Sequence, residues 1–196
     1  MSKKLIESDD LRHQNYQEHA CAIGTICIQW ALLDRTLDLL IEKIIGLDEP
    51  VTACLLSTSR DTSQKCEIAF RLSVQMVPDC AWRECLFETI KIIQNKFCQK
   101  RNRFVHDELE FSETAINQFS RRVSTTKLQA GESLKLIFET STEVKTADLD
   151  LFIADVTLVI FGLAIMGSQL SNSHISITSL VPPNPLMLLI DRYKQV

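Results

Sequence analysis

The sequence contains little glycine and little proline, with five residues of each among 196. Collagen, mucin-like stalks and glycine- or proline-rich disordered tails are therefore excluded, because each of them needs at least one of these residues in quantity. Hydrophobic residues make up 45% of the chain and charged residues 23%. A chain of this length buries roughly 70% of its unfolded surface, which is enough for one core without disulfides or metals. One globular domain is the default expectation.

The sequence also lacks paired cysteine motifs. Its seven cysteines, from Cys21 to Cys98, include no Cys-x-x-Cys pair, and no histidine stands at the spacing of a metal ligand. We interpret them as small buried hydrophobic residues in a reducing compartment, and not as disulfides or zinc ligands. The first ten residues contain no apolar segment of a secretory or transit signal. The sequence thus predicts a cytoplasmic protein.

An excess of positive charge is absent as well. The chain has 21 Lys and Arg residues against 25 Asp and Glu residues, for a formal net charge of −4. This balance excludes proteins that coat nucleic acid through bulk positive charge. Any contact with nucleic acid is expected to be confined to a local basic site.

The first half of the chain carries helical periodicity. From residue 23 to 44 apolar residues recur at alternating steps of three and four, which predicts a long helix with a packed seam that ends near Gly46. A second helix is predicted over 61–76, with Asp61 or Thr62 as its N-cap, after a short helical turn at 51–57.

The second half changes character twice. A third apolar stripe begins at residue 81, and no glycine or proline interrupts it before residue 111. Residues 118–140 alternate apolar and polar side chains around a possible turn at Ala130-Gly131, which predicts a β-hairpin. A fourth long helix is predicted over 146–170. We therefore predict a mainly α fold, an up-and-down bundle of about four long helices with a small β-hairpin inserted before the last one.

The last predicted helix is almost wholly apolar. Its uninterrupted run over 156–166 is too short to span a bilayer, which favours burial in a bundle or a subunit interface and predicts no membrane contact. We expect a helical domain over 1–170. The tail over 171–196 contains three prolines and is expected to pack on the bundle or on a partner.

The third helix contains a polar motif. Arg101, Asn102 and His106 stand within six residues. At roughly 100° per residue, Arg101 lies within about 50° of the centre of the apolar stripe and His106 lies nearly opposite it. In one straight helix Arg101 and His106 are therefore not expected to meet easily. Either the helix bends there, or the two residues meet across a symmetric interface that makes a composite site in a homodimer.

This motif, Arg-Asn-x-x-x-His, late in a long helix of a small helical bundle, resembles the signature of the HEPN superfamily. The segment WALLD, from Trp30 to Asp34, also resembles bacterial HEPN-like proteins, which often place a tryptophan and an acid there, although the acid is usually glutamate. The resemblance covers residues 15–110 and, more loosely, the last helix. It implies a metal-independent endoribonuclease that needs no cofactor. In such enzymes the 2′-hydroxyl of RNA attacks the adjacent phosphate and leaves a 2′,3′-cyclic phosphate and a free 5′-hydroxyl.

The resemblance implies roles that suit the residue types. His106 would move protons to or from the attacking and leaving oxygens, because an imidazole titrates near neutrality. Arg101 would stabilise the negative charge of the transition state, since a guanidinium is a permanent cation with forked donors. Asn102 would orient the histidine or the phosphate, and Asp34 would support the site.

Further cations follow the same interpretation. Neighbouring phosphates would be held by Lys96, Lys100 and Arg103, and a second basic cluster in the predicted hairpin comprises Arg121, Arg122 and Lys127. Such contacts position RNA without reading its sequence. As partners we expect an RNA substrate, a second copy of the chain, and an antitoxin or a nucleotidyltransferase-like protein of a defence or toxin–antitoxin system.

Each residue also has a structural interpretation. His106 could be an ordinary surface histidine, and Arg101 could form a buried ion pair with Asp34 or with Glu108. The lysines are typical of a solvated helix face, and Trp30 is more typical of a core or a dimer seam than of a platform for bases. Two other functions therefore stay open. One is a non-catalytic HEPN-like module for dimerisation or for binding a nucleotide or partner, and the other is a small membrane-associated helical protein.

Overall fold

A computed structural model describes the backbone of residues 2–59, 61–106, 108–111, 116–122, 137–171 and 180–195. Side chains are described over 13–59, 61–106, 144–170 and 180–195. The helices are α1 (Ser2–Ile45), α2 (Glu49–Leu56), α3 (Thr62–Met76), α4 (Ala81–Ile92), a π-helical turn (Ile93–Phe97), α5 (Cys98–His106), α6 (Thr146–Ser171) and α7 (Asn184–Lys194). The strands are β1 (Glu108–Phe111), β2 (Ile116–Arg122) and β3 (Ile137–Glu143). The predicted mainly α class is confirmed.

The chain divides into two compact units. The first unit comprises Met1–Ile26 and Arg101–Leu151, and the second comprises Cys27–Lys100 and Phe152–Val196. Helices α1, α5 and α6 each contribute residues to both units.

The second unit contains the apolar seam that the sequence predicts in α1. Leu33, Leu37 and Ile41 are fully buried, so this seam is covered by the chain itself. The other large buried side chains of this unit come from α4, the π-helical turn, α6 and α7, and they include Trp82, Leu86, Ile93, Phe97, Phe152, Leu163 and Leu189. The seam therefore belongs to the core, and it is not a surface left for a second subunit.

The ends of α1 and α3 follow the sequence. Gly46 closes α1 with φ of +71°, a left-handed conformation that glycine adopts without steric cost. Asp61 caps α3, and its carboxylate accepts a hydrogen bond of 3.3 Å from the backbone N–H of Ser63. The cap satisfies one of the N–H groups that have no partner within the helix.

The third helical segment differs from the prediction in two respects. A π-helical turn at Ile93–Phe97 separates α4 from α5, and periodicity alone does not indicate it. The helical path then ends at His106, although glycine and proline are absent from the next five residues. The reason is strand pairing, since β1 begins at Glu108 and bonds to β2 in an antiparallel register with Phe111 opposite Ile116.

The strands belong to the first unit. They form an antiparallel sheet in the order β1, β2, β3, and Arg121 of β2 stands opposite Phe138 of β3. The sequence indicates no strand at β1. The turn predicted at Ala130-Gly131 lies outside the described residues, so the hairpin stays a prediction.

Helix α6 is long and apolar enough to cross a membrane. Over Thr146–Leu170 it spans 25 residues with a mean hydropathy of 2.2 in its best window, of which 44% is buried. The prediction that this helix is too short to span a bilayer is therefore wrong. It counted only the uninterrupted apolar run over 156–166, whereas an apolar helix can contain isolated polar residues. Core helices of soluble proteins have the same length and composition, so this helix alone does not establish a membrane span. Asp155, within the helix, is buried and bonds to Arg192 and Tyr193 of α7.

Helix α7 packs against α4 and α6 within the second unit. Its buried side chains are Leu186, Leu189 and Ile190. The approach to α6 is close enough that a Cβ atom built on Gly162 would lie 2.2 Å from Cγ of Leu186. Gly162 is therefore required for the contact between the two helices.

We expect Gly162→Ala to lower the free energy of unfolding by about 1–2 kcal/mol, because the new methyl group must displace Leu186 from the core. The matched control is Gly24→Ala in α1, where a Cβ atom would meet nothing within 4 Å. That control is expected to raise stability by about 0.5–1 kcal/mol through helix propensity. Urea unfolding of both variants checks the prediction, and equal effects of the two substitutions would contradict it.

The interpretation of all seven cysteines as buried is wrong for most of them. Cys66 and Cys85 are buried, whereas Cys21, Cys27 and Cys54 are exposed. Cys21 and Cys27 lie beside the buried face of α1, which carries Ala22 and Ile26. Burial raises the pKa of the Cys85 thiol to about 11, so this group stays protonated at neutral pH.

Candidate functional site

The predicted motif lies in the last turns of α5, within the first unit. Nη1 of Arg101 donates a hydrogen bond of 3.1 Å to Oδ1 of Asn102. The same nitrogen lies 3.4 Å from Nε2 of His106. Arg101 is half-buried, while Asn102 and His106 are exposed. The structure thus brings together the three residues that the sequence nominates.

The expectation that Arg101 and His106 do not meet within one helix is wrong. The angular projection places the two Cα atoms on different faces, but it ignores the direction and length of the side chains. Helical side chains point back toward the N-terminus, so the ring of His106 lies over the turn that precedes it. The long arginine side chain extends along the helix surface to meet that ring. Neither a bend in α5 nor a second subunit is needed for this contact.

The contact defines the hydrogen-bonding state of the imidazole. A guanidinium has donors only, so Arg101 donates and Nε2 of His106 accepts. A hydrogen bond in this direction corresponds to the tautomer that carries its proton on Nδ1. Nε2 is therefore the basic atom of His106, and it is held beside a permanent cation.

The end of α5 adds a second electrostatic contribution. The last turn contains Arg103 and His106, where the negative end of the helix dipole favours cations. The group formed by Arg101, Asn102 and His106 is hence a forked cationic donor beside a basic nitrogen at an exposed helix end. Such a pair can bind a phosphate and accept a proton from an adjacent hydroxyl.

The three predicted phosphate-binding cations occupy different places. Lys96 lies in the π-helical turn and lines a groove beside α7. Nζ of Lys100 lies 5.8 Å from the centre of the Tyr193 ring, also at α7. Arg103 is exposed on α5. In the predicted second cluster, Arg121 and Arg122 fall in β2 with undescribed side chains, and Lys127 lies outside the described residues.

Asp34 has a structural partner in the second unit. Its Oδ1 accepts a hydrogen bond of 2.7 Å from the hydroxyl of Thr62, which itself accepts one of 2.9 Å from Nε1 of Trp30. Trp30 and Asp34 are four residues apart on one face of α1 and both reach the first residue of α3. They connect the two helices through one buried hydroxyl. A pairing of Arg101 with Asp34 or with Glu108 stays a prediction, since Asp34 belongs to the other unit and the Glu108 side chain lies outside the described residues.

No family model, curated protein or solved structure matches the chain. The resemblance to the HEPN superfamily therefore depends on the motif and on the WALLD segment. Membership in that family stays a prediction.

His19 is a further histidine of the first unit that motif reasoning does not select. It is almost fully buried in α1, and burial lowers the pKa of its imidazole below 6.5. The signal was present in the periodicity, because His19 continues the buried face of Ala22 and Ile26 toward the N-terminus. His19 lies on the same face of α1 as the apolar seam, one helical turn before residue 23, where the sequence predicts that the seam begins.

We expect His19 to make folding stability depend on pH. The folded state resists protonation of this buried ring, while the unfolded chain takes up a proton near its ordinary pKa. The free energy of unfolding should therefore fall as the pH is lowered through 6.5 toward the folded pKa. Unfolding in urea at pH 8 and at pH 5.5 should show a smaller loss for His19→Phe than for the wild type. The control, His13→Gln at an exposed position of the same helix, should keep the wild-type loss.

Proposed function

We propose that the protein is a metal-independent endoribonuclease of HEPN type. The observation that carries the proposal is the contact of one guanidinium nitrogen of Arg101 with both Asn102 and His106. The fold proposed with it is an up-and-down bundle of about four long helices with a hairpin at 118–140. No cofactor is required, because RNA supplies its own nucleophile.

In the proposed reaction the 2′-oxygen of RNA attacks the adjacent phosphorus and the bond to the 5′-oxygen breaks. Nη1 of Arg101 exchanges its contact with Nε2 of His106 for one with a phosphoryl oxygen, and the freed lone pair of Nε2 takes the proton of the 2′-hydroxyl. The same proton then passes from the imidazolium, directly or through solvent, to the leaving 5′-oxygen. Arg101 binds the phosphoryl oxygens, where negative charge accumulates in the transition state. Asn102 holds the guanidinium in place through the 3.1 Å hydrogen bond. The products are a 2′,3′-cyclic phosphate and a 5′-hydroxyl.

The proposal includes a cytoplasmic homodimer that acts as a toxin or defence effector, with a composite active site formed by two copies of the motif. Because Arg101 and His106 already meet within one chain, the second copy would add a second pair and would not complete the first. An antitoxin or a nucleotidyltransferase-like protein is the proposed regulating partner.

The test is cleavage of single-stranded RNA by the purified protein in EDTA. We expect fragments that end in a 2′,3′-cyclic phosphate and begin with a free 5′-hydroxyl, at a rate that added Mg²⁺ does not raise. Mass spectrometry of the fragment ends checks both groups. Fragments with 5′-phosphates, or cleavage only with added metal, would contradict the proposal.

A second candidate is a non-catalytic HEPN-like module for dimerisation or for binding a partner. It is favoured by large apolar side chains exposed in the second unit, among them Ile28 of α1 and Phe161 of α6, at 64% and 62% exposure. This module would sediment as a dimer and leave RNA intact. Both candidates are proposed as dimers, so the cleavage test separates them: a preparation that sediments as a dimer and leaves RNA intact in EDTA would favour the module.

A further inference from the structure

The second unit contains a basic groove between α7 and the helical segment formed by α4 and the π-helical turn. The side chains that line it include Glu88, Lys91, Asn95, Lys96, Tyr193 and Lys194. Asn95 and Lys96 belong to the π-helical turn, a local feature that often marks functional positions in helices. One side of the groove is therefore formed by α7, and the other by α4 and the π-helical turn.

The groove has more positive charge than its own carboxylate can neutralise. Nζ of Lys91 lies 3.0 Å from Oε1 of Glu88, which accounts for the one carboxylate among the described lining residues. Lys96 and Lys194 have no ion pair or hydrogen bond with any described side chain. Two cations thus remain exposed at one groove of a protein whose net charge is −4. Such a local excess favours an anionic ligand.

An aromatic ring stands among these cations. The hydroxyl of Tyr193 donates a hydrogen bond of 2.8 Å to Asp155, and its ring packs at 5.7 Å between ring centres against Phe97. Both contacts hold the ring in a fixed orientation. Nζ of Lys100 lies 5.8 Å from the ring centre. A fixed aromatic ring in a cationic groove is the combination that binds single-stranded nucleic acid, because bases stack on the ring and lysines contact the phosphates.

The size of the groove favours a strand over an enclosed small molecule. Its volume is about 170 Å³. Sites that enclose a small ligand usually measure roughly 300–1,000 Å³. The groove itself is smaller than that, and it shares Glu88, Ile190 and Lys194 with a neighbouring cavity of about 410 Å³ that Glu84 also lines. An extended strand therefore has room to continue along α7.

We propose that this groove of the second unit binds the backbone of single-stranded RNA, as a site separate from the Arg101 motif. Lys96 and Lys194 contact phosphates, and Tyr193 stacks on a base. The inference deepens the proposed function and rests on it for the identity of the strand. It assigns a binding role to α7, which the Arg-Asn-x-x-x-His motif does not include.

The test measures binding separately from cleavage. The probe is a fluorescent 2′-O-methyl RNA of about 12 nucleotides, a length near the site sizes of single-strand binders. It lacks the 2′-hydroxyl nucleophile, so it binds without being cut. We expect Lys96→Gln/Lys194→Gln to weaken binding about tenfold and to reduce the salt slope of log K by about 1.4, since each lost phosphate contact removes about 0.7. Tyr193→Leu should weaken binding at least about fivefold, whereas Tyr193→Phe, which keeps the ring and its packing on Phe97 but loses the bond to Asp155, should weaken binding less than about twofold.

The matched control is Lys43→Gln/Arg71→Gln, which makes the same change in net charge on α1 and α3, outside the groove lining. It should leave the salt slope unchanged. Equal effects of the two double variants would overturn the proposal, because they would indicate general electrostatics.

Competition by uridine monophosphate as effective as that by the oligonucleotide would also overturn it, in favour of a free-nucleotide site. If the lysine dependence holds but the wild type never cuts RNA, the groove is supported and the nuclease function fails. Cleavage and binding unaffected by the lysine variants would support the function and reject the groove.

Discussion

His106→Ala is expected to lower the rate of RNA cleavage in EDTA by about 10²–10⁴-fold, the usual contribution of a general acid or base. The reason is that Nε2 of His106, which lies 3.4 Å from Nη1 of Arg101, is the proposed proton acceptor. Alanine at this position leaves the 2′-hydroxyl without a proton acceptor. Because His106 is exposed at the end of α5, its removal should leave the melting temperature within a few degrees of the wild type.

The measurement is single-turnover cleavage of a labelled RNA, with His13→Ala as the control. His13 is an exposed histidine of α1, so the control removes an imidazole without touching the motif. It should cut at the wild-type rate. A His106→Ala protein that cuts as fast as the wild type in EDTA, while remaining folded, would reject the mechanism.

Arg192→Leu is expected to lower the free energy of unfolding by about 3 kcal/mol, the lower end of the range for breaking a buried ion pair. Asp155 is only 2% exposed and bonds to both Arg192 and Tyr193. Removal of the guanidinium leaves a buried carboxylate that, among the described side chains, keeps one hydrogen bond and no countercharge. Arg192 itself is half exposed, which limits the loss.

Replacement of the whole group should reverse much of this loss. In the triple variant Asp155→Leu/Arg192→Leu/Tyr193→Phe no buried charge remains, so stability should return to within about 1 kcal/mol of the wild type. The control is Arg71→Leu, which breaks the exposed pair with Glu67 and should cost less than about 0.5 kcal/mol. Urea unfolding measures all three proteins. Equal losses for Arg192→Leu and Arg71→Leu would show that Asp155 does not depend on its partner.

The motif that contains His106 could be found from the sequence, whereas the contacts of Asp155 could not. The helix over 61–76 and the end of α1 at Gly46 follow from local rules of capping and backbone conformation, and the structure confirms both. The motif at Arg101 is also local, so the sequence could nominate its members. Its geometry was not predictable from helix projection, because side-chain direction and length decide whether Arg101 reaches His106.

The contacts of Asp155 depend on segments that are far apart in sequence. Arg192 and Tyr193 follow Asp155 by 37 and 38 residues. No local pattern indicates that α7 folds back onto α6, and Gly162 acquires its importance only from that approach. The same holds for Trp30 and Asp34, whose spacing places them on one face but does not reveal Thr62 as their common partner.

The scarcity of glycine and proline and the apolar periodicity determined by themselves that this is a mainly helical chain. The sequence also nominated the members of the motif, because Arg101, Asn102 and His106 stand within six residues of one another. The tertiary structure alone decided that the α1 seam is internal, that Asp34 bonds to Thr62, and that α7 brings Tyr193 and Lys194 to Lys96. Such contacts join residues that are far apart along the chain, and local sequence patterns do not indicate which distant helices pack against each other.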